Sequence, residues 1–444
     1  MTSSTVYLGR IRYFFRAGDP GPRQAQPAIR LRLPFPHRID STDADRPPRG
    51  LESLPGMISR AERTPLTDWW WTVDRGLLAA LFALMVAGLV FLMGGGPPVA
   101  ERIGLPTFYF LNRQALYLAP TILLICAVSF LSLRGVRRLA LVTWICGVAL
   151  CLLAGKFGPE IKGAHRWIQF GPIGLQPSEF VKPAFVVVAA WAFSEGAQRR
   201  DMPGGFLAML LLPITIVPLL LQPDFGQTML ITMVWCALFF VAGLHLIWVA
   251  LLGVLGLGGV FAAYLFFHHV RERFNKFLDR DSGGGFQDFW SRESFRSGGW
   301  FGTGPGEGVA KRHLPDAHTD FIFSVTGEEF GVIVCLCLVG LFAFIVLRGL
   351  KLARRTDDTF SRLAITGLTT LFGLQACINM AVNTQLMPAK GMTLPFVSFG
   401  GSSMISLALG TGFLVALTRK RPRTVLLSQK PPGTASVTVA GVMR

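Results

Sequence analysis

Acidic residues gather where a long polar loop meets a hydrophobic helix, in the stretch from Leu314 to Gly331. The stretch reads LPDAHTDFIFSVTGEEFG and contains Asp316, His318, Asp320, Glu328 and Glu329. A carboxylate close to hydrocarbon is costly, so its presence there needs a reason. These residues alone leave two interpretations open. Either Thr319 or Asp320 caps the helix that follows, which is the simpler one, or an acid here acts as a general base on a membrane-bound substrate.

A second charged segment, Gly163–Lys182, reads GAHRWIQFGPIGLQPSEFVK. Arg166 stands beside Trp167, an arrangement that suits the level of lipid headgroups, whereas Glu179 and Lys182 enter the next apolar run. An acid and a base at the start of a span normally face each other or a cavity. Because Glu179 and Lys182 are three residues apart, they are able to form an ion pair on one helix face.

Lys390 is the one base in a third polar segment, Met387–Ser403, which reads MPAKGMTLPFVSFGGSS. The segment leads into the last apolar run, and free N–H groups at a helix start are good seats for an anion. Phosphate or pyrophosphate binding is therefore one interpretation, and a turn followed by a helix cap is the other. A fourth segment, LQPDFGQT around Asp224, is more typical of a tight turn than of catalysis.

The longest loop combines glycine with Phe and Trp, as in the run GGWFGTGPGEG that begins at Gly298. This composition suits either a loop that approaches an extended ligand or an ordinary connector. His313 and His318 lack the spacing of a helical metal site, so we predict no metal ligands there. No cofactor is evident, although the sequence leaves room for a divalent cation.

Composition indicates a membrane protein. The chain has 444 residues, of which 51% are hydrophobic and only 16% are charged, whereas a soluble chain carries about 25% charged residues. The net charge of +17 does not indicate nucleic-acid binding, because the basic residues concentrate in a tail and in alternate loops. The seven cysteines all lie in apolar runs, which favours packing over disulfides or zinc.

Apolar runs of nearly bilayer-spanning length predict an all-α polytopic fold with ten transmembrane helices. The predicted spans are Arg75–Met93, Ala115–Leu133, Val136–Gly155, Pro177–Phe193, Gly205–Leu221, Gly226–Leu244, Ile247–Phe267, Phe330–Val346, Leu363–Val382 and Ser402–Leu417. The large polar loop lies between the seventh and eighth. Residues 66–421 thus form the membrane domain, and an even number of spans places both termini on one side.

Lys and Arg in the short loops set the orientation. They accumulate at 134–138, 199–200, 348–362 and 419–423, on the side of the basic N-terminal tail, so we predict that both termini are cytoplasmic. Residues 1–65 are expected to be a disordered tail, with Met57 as an alternative start of translation, and residues 422–444 a C-terminal tail. The polar segments around Arg166, Asp224, Asp320 and Lys390 then face the periplasm. Acids and bases at the outer ends of helices favour chemistry on an amphiphile, since an ion-driven pump buries charge near the bilayer centre.

At these segments the chain resembles the SEDS family of polytopic proteins of shape, elongation, division and sporulation. The matching blocks are GAHRWIQFGPIGLQPSEFVKPA, QPDFGQT, GGWFGTGPGEG, LPDAHTDFIF and KGMTLPFVSFGGSS. They occur in the family's order from about Thr64 to Arg421, and their wording is more similar to the cell-division branch than to the elongation branch, in particular to its alphaproteobacterial members.

The resemblance implies a peptidoglycan glycosyltransferase that polymerises lipid II at the outer face of the bacterial inner membrane, at the division septum. The essential acid of the family's TDF motif falls on Asp320, so the resemblance favours the catalytic interpretation over the capping one. Arg166, Glu179, Lys182 and Lys390 are shared polar positions and are expected to bind substrate. A class B penicillin-binding transpeptidase and other division proteins are the implied partners. Two other functions stay open, a lipid II flippase or transporter and a non-enzymatic division scaffold, and so does the family's elongation polymerase.

Overall fold

The computed structural model of the protein describes residues 64–161, 164–171, 173–199, 203–243, 286–388 and 391–420, with scattered positions between 253 and 275. The predictions for the N-terminal tail, for Met57 and for the C-terminal tail lie outside the described residues. About half of the predicted seventh span, Ile247–Phe267, lies outside them too.

The described chain is mostly helical. Its helices are α1 (Pro65–Thr72), α2 (Arg75–Arg102), α3 (Tyr109–Ser129), α4 (Leu133–Phe157), α5 (Pro177–Gln198), α6 (Gly204–Leu221), α7 (Phe225–Val241), α8 (Phe286–Gly298), α9 (Ile322–Arg354), α10 (Thr359–Asn383) and α11 (Gly401–Thr418). A short antiparallel hairpin of β1 (Ile168–Phe170) and β2 (Ile173–Leu175) lies between α4 and α5, with Ile168 opposite Leu175.

Eight of these helices are long and apolar enough to cross a membrane, and α7 is a shorter apolar helix. These nine coincide with nine of the ten predicted spans, so the prediction of a multi-span helical membrane protein is confirmed. Most of α5, α10 and α11 is buried inside the bundle, whereas α3, α4 and α9 expose most of their apolar surface, as helices at a lipid boundary do.

Local chemistry sets the starts of several helices. The side chains of Asp74, Ser132 and Asp358 accept hydrogen bonds from backbone N–H groups three residues further on, at 2.8, 3.1 and 2.9 Å. Such caps satisfy donors that a helix start leaves without partners. Pro65 and Pro177 begin α1 and α5, where a missing N–H costs nothing.

Contacts between helix ends define two ends of the bundle. At one end Asp74 pairs with Arg348 at 2.9 Å and Arg137 with Glu195 at 3.4 Å, and the backbone N–H of Lys420 bonds to Thr72. We call this the inner end, because it carries the basic loops that the charge pattern assigns to the cytoplasm. The opposite, outer end holds the acids and bases considered for chemistry.

Helix α9 contains a break at Gly331, where φ is 82° and ψ is 175°. The half from Ile322 to Phe330 is largely buried in protein. The half from Val332 onwards carries the exposed apolar side chains Ile333 and Leu336. The predicted span Phe330–Val346 therefore corresponds to the second half, and the first half belongs to the outer part of the protein.

Candidate functional site

Asp320 lies in the turn that precedes α9. The helix begins at Ile322 and Phe321 stands at its N-cap position, so neither Thr319 nor Asp320 occupies the capping position. The Asp320 side chain is half-buried. Its Oδ2 atom lies 3.8 Å from the position that a Cβ would take on Gly391, so the carboxylate faces the loop that leads to α11.

Three amide side chains on α10 connect the parts of this site. Gln375, Asn379 and Asn383 follow one another at intervals of four residues and therefore share one helix face; we call them the amide stripe. Asn379 and Asn383 each donate to the backbone carbonyl of Asp320, at 2.9 and 2.8 Å. Sequence analysis missed this stripe, although amides at regular spacing in an apolar helix are a recognisable signal.

The amide stripe also holds the segment 391–394. Asn379 donates to the carbonyl of Met392 at 2.6 Å, and Gln375 donates to that of Thr393 at 3.1 Å. The same segment is joined to the turn around Asp320 by Ser398, whose hydroxyl donates to the carbonyl of Thr319 at 2.6 Å. Two segments more than 70 residues apart in sequence thus become one surface.

Two further contacts brace the turn from the side of α2 and α3. Arg102 donates to the carbonyls of Leu314 and Pro315, both at 3.0 Å. The rings of Phe110, His318 and Phe399 form a cluster, with 4.1 Å between the centroids of Phe110 and His318 and 5.0 Å between those of Phe110 and Phe399. His318 is thus packed among aromatic rings.

Glu179 and Lys182 face each other, as their spacing predicts. Lys182 Nζ lies 2.9 Å from Glu179 Oε1 and donates to Gln375 Oε1 at 3.2 Å. Gln227 also donates to Glu179 Oε1, at 2.8 Å. Because both charged side chains are almost fully buried, the pair needs these hydrogen bonds to offset its desolvation. Glu179 Oε2 is buried without a hydrogen-bond partner.

Arg166 holds the turn between α6 and α7. Its guanidinium donates to the carbonyls of Gln222 and Pro223, at 3.1 and 2.6 Å, and lies 4.0 Å from Asp224 Oδ1. Asp224 stands at the N-cap of α7 and accepts from the N–H of Gln227, in agreement with the turn interpretation. Burial raises the pKa of Asp224, and the nearby charge of Arg166 opposes that rise.

Lys390 lies outside the described residues, so its predicted role stays a prediction. The described neighbour on its C-terminal side, Gly391, has a φ of 63°, a conformation that favours glycine. Helix α11 begins nearby at Gly401 with Gly400 at its N-cap position. A glycine has no side chain with which to cap the first N–H groups.

Glu328 and Glu329 bind the glycine-rich loop. Glu328 accepts from the N–H groups of Ala310 and Lys311, at 2.7 and 2.9 Å. Glu329 pairs with Lys311 and accepts from the N–H of Gly306 at 3.0 Å. These two acids therefore have a structural explanation, and Asp320 is the acid of the stretch that faces the neighbouring loop.

Below the outer end, a narrow cleft runs between α5, α10 and α11. Glu179, Lys182 and Gln375 lie at its polar end, and the rest is lined by apolar side chains that include Leu368, Leu371, Phe372, Leu407 and Leu414. The outer end thus offers a half-buried carboxylate and a nearby helix start, with apolar surface beneath them. This combination suits a substrate with a polar head and a lipid tail.

Residues 75–423 match the family model FtsW/RodA/SpoVE, described as cell cycle protein. A probable peptidoglycan glycosyltransferase FtsW of Caulobacter vibrioides is 45% identical over 366 residues, which cover 82% of this chain and 94% of that protein. The protein of the same name from Trichlorobacter lovleyi is 35% identical, with 78% of this chain and 93% of that protein covered.

Two solved structures are also similar to this chain. A structure described as the structural coordination of polymerization and crosslinking by a peptidoglycan synthase complex has a TM-score of 0.64 and 28% identity, covering 79% of this chain and 98% of that chain. A crystal structure of the rod shape determining protein RodA of Thermus thermophilus has a TM-score of 0.59 and 29% identity, with 79% and 97% covered. The chain belongs to the FtsW/RodA/SpoVE family of cell cycle proteins.

Proposed function

We propose that the protein is a peptidoglycan glycosyltransferase that polymerises lipid II into glycan strands for the septal cell wall. The family supports glycosyl transfer, and the 45% identity to a relative named FtsW, against 29% to RodA, supports the division role. In this proposal the bundle has ten spans with both termini in the cytoplasm, and the site faces the periplasm.

The observation that carries the proposal is the placement of Asp320. Its carboxylate is half-buried, faces Gly391 across the site, and belongs to a turn whose backbone is bonded to two buried amides. A carboxylate held at the outer end of a membrane bundle is suited to act as a general base on a substrate presented by the outer leaflet.

In the proposed reaction, Asp320 accepts the proton of the acceptor sugar's 4-hydroxyl as that oxygen attacks the anomeric carbon of the lipid-linked donor. The bond from the anomeric carbon to the pyrophosphate oxygen breaks, and the lipid pyrophosphate leaves with that electron pair. Both substrates are anchored by lipid chains, which holds the reacting groups at one depth and lowers the entropic cost of their encounter.

In the proposed reaction, cations stabilise the departing pyrophosphate. We assign this role to Lys390 and to Arg166, whose side chain is 27% exposed and keeps N–H groups that do not hold the α6–α7 turn. The start of α11 at Gly401, which has no side-chain cap, would add backbone N–H donors for the anion. Glu179 and Lys182 support the site from below, because Lys182 holds Gln375 and Gln375 holds Thr393.

We also propose a penicillin-binding transpeptidase as partner. The similar structure of a peptidoglycan synthase complex and the family membership support this assignment. Glycan strands made by one protein would then be cross-linked by the other at the septum.

The test is polymerisation of lipid II by the purified full-length chain in liposomes, with and without its transpeptidase. We expect glycan strands from the wild type, and a loss of at least about 10²-fold with Asp320→Asn, the scale of general-base catalysis. Asp316→Asn, the same change four residues earlier, is the matched control and retains activity. Full polymerisation by folded Asp320→Asn would reject the base assignment, and movement of lipid II across the membrane without glycan product would favour a transporter.

A further inference from the structure

Asn379 and Asn383 are buried polar side chains inside a membrane-spanning helix, with exposures of 1% and 0%. A buried amide is costly unless its donors and acceptors are bonded. Both side chains direct an N–H to one acceptor, the carbonyl oxygen of Asp320, at 2.9 and 2.8 Å. Two side chains of α10 thus donate to a single backbone atom of the candidate base.

This convergence restrains the peptide that joins Asp320 to Phe321. A peptide group is planar, so fixing its carbonyl also fixes the orientation of its N–H. That N–H, on Phe321, donates to the carbonyl of Asp316 at 3.2 Å. With both ends of the plane bonded, the backbone at Asp320 has little freedom, and only the two side-chain torsions remain to aim the carboxylate.

The orientation of the Asn383 amide is itself fixed. Its Oδ1 atom accepts from the N–H and the hydroxyl of Ser324, at 3.0 and 2.6 Å, so its Nδ2 points to Asp320. The Ser324 hydroxyl lies 2.6 Å from that of Ser291 on α8. Helix α8 therefore belongs to the same hydrogen-bond network.

Asn379 also bonds to the loop that lies opposite Asp320. Its other N–H donates to the carbonyl of Met392 at 2.6 Å, next to Gly391, which faces the Asp320 carboxylate. One side chain therefore sets the distance between the base and the loop opposite to it.

We infer that Asn379 and Asn383 are positioning residues for the general base. They act by holding the Asp320–Phe321 peptide in a fixed position relative to α10. The inference rests on the proposed function, since it gives these amides a role in glycosyl transfer. Neither side chain is assigned a contact with substrate.

Two variants test the inference in the lipid II assay. Asn383→Leu and Asn379→Leu each remove one donor to the Asp320 carbonyl with little change of volume. We expect kcat to fall about 10- to 100-fold in each, because misplacement of a reacting group by about 1 Å costs up to 10²-fold. The KM for lipid II should stay within about twofold, because neither side chain touches the substrate in this mechanism.

A spectrometric readout separates positioning from loss of folding. Hydrogen–deuterium exchange at residues 316–321 should accelerate in both variants. The matched control, Asp358→Ala, removes the cap at the inner end of the same helix and costs about 1 kcal/mol of stability. It should leave both kcat and the exchange of 316–321 unchanged.

Wild-type kcat in folded Asn383→Leu and Asn379→Leu would overturn the inference, as would a rise in KM without a fall in kcat. Should Asn383→Leu not fold, Asn379→Leu and its exchange at 316–321 decide alone. A wild type that makes no glycan would reject the proposed function instead, and unchanged exchange in the variants would reject the positioning independently of activity.

Discussion

At the scale of single residues, the pair Glu179–Lys182 shows how a buried charge is kept inside the bundle. The side chains are 6% and 3% exposed, and their remaining partners are the amides of Gln227 and Gln375. Lys182 bonds to Gln375, which is eight residues before Asn383 on α10, or about 12 Å further into the bundle. The pair therefore lies deeper in the bundle than Asn383, which bonds to the Asp320 carbonyl.

Removal of one charge of the Glu179–Lys182 pair should lower the stability more than removal of both charges. Lys182→Met leaves Glu179 without its counter-charge and is expected to cost about 3–5 kcal/mol. The double variant Glu179→Gln with Lys182→Met removes both charges, so most of the stability should return. Apparent melting temperatures in detergent measure the difference, and lipid II polymerisation should recover to within about tenfold of wild type because the Lys182 ammonium is enclosed. Recovered stability without polymerisation would show that Lys182 acts on the substrate directly.

Asp224 provides a pH-dependent test outside the spans. Burial raises the pKa of its carboxyl above the ordinary 3.8, so the folded chain binds this proton more tightly than the unfolded chain. Its contribution to stability is therefore largest in acid, and is lost as the pH rises through the raised folded pKa. Asp224→Asn keeps a capping side chain and removes this dependence. We expect its melting temperature to exceed that of wild type by more at pH 8 than at pH 5.

The exposed cap Asp358 of α10 is the control for that experiment. Asp358→Asn makes the same change of side chain at an exposed cap, and so controls for the change from carboxylate to amide itself. An equal pH dependence in wild type and Asp224→Asn would contradict the role assigned to burial.

Single residues were predictable where their neighbours are close in sequence. The pairing of Glu179 with Lys182 follows from three-residue spacing, and the turn at Asp224 from its Pro and Gly neighbours. The bonds from Asn379 and Asn383 to Asp320 span 59 and 63 residues, and those from Arg166 reach 56 residues to a backbone carbonyl. Sequence spacing contains no information on such contacts.

At the scale of elements, the break in α9 decides how the outer part of the protein joins the membrane part. The N–H of Val332 donates to the carbonyl of Gly299 at 3.0 Å, and the N–H of Thr303 to that of Glu328 at 2.8 Å. The glycine-rich loop thus supplies backbone partners on both sides of Gly331. The break lets a buried polar half-helix continue into a lipid-facing one without leaving backbone groups unbonded.

Gly331→Ala should therefore be strongly destabilising. The backbone there has φ 82° and ψ 175°, a region almost restricted to glycine, and a Cβ would collide with the carbonyl of Trp300. We expect a loss of at least about 3 kcal/mol, measured as a lower apparent melting temperature with faster proteolysis of the loop 298–304.

Gly340 lies in the same helix and is the matched control, because a Cβ there meets nothing within 4 Å. Gly340→Ala should leave stability unchanged or raise it by about 0.5–1 kcal/mol. Similar melting temperatures for the two alanine variants would show that the break at Gly331 does not hold the loop.

Hydropathy predicted where α9 becomes apolar but not where it begins. The predicted span starts at Phe330 and the helix at Ile322, because a buried half-helix with Glu328 and Glu329 is too polar to be recognised as part of a span. Both acids are stabilised by loop N–H groups and by Lys311. Partners so distant from the helix are visible only in the folded chain.

At the scale of the whole molecule, the apolar helices α7 and α9 run in the same direction. Helix α7 starts at the outer end beside Arg166 and Asp224. Helix α9 starts there too, beside Asn383, and reaches Asp74 at the inner end through Arg348. A crossing between these two helices is what the predicted span Ile247–Phe267 would supply, and the total of ten spans stays a prediction.

Reporter fusions test this topology directly, because alkaline phosphatase is active only outside the cytoplasm. Fusions after Phe157, Leu221 and Gly298 should be active, since these residues end α4, α6 and α8 at the outer end. Fusions after Gln198, Val241 and Arg354 should be inactive, with activity lower by about tenfold or more, the separation that the charge bias of the loops leads us to expect. The comparison of Val241 with Gly298 is decisive. An inactive fusion after Gly298 would remove the crossing between α7 and α9 and would place Asp320 on the cytoplasmic side, where no substrate of the outer leaflet reaches it.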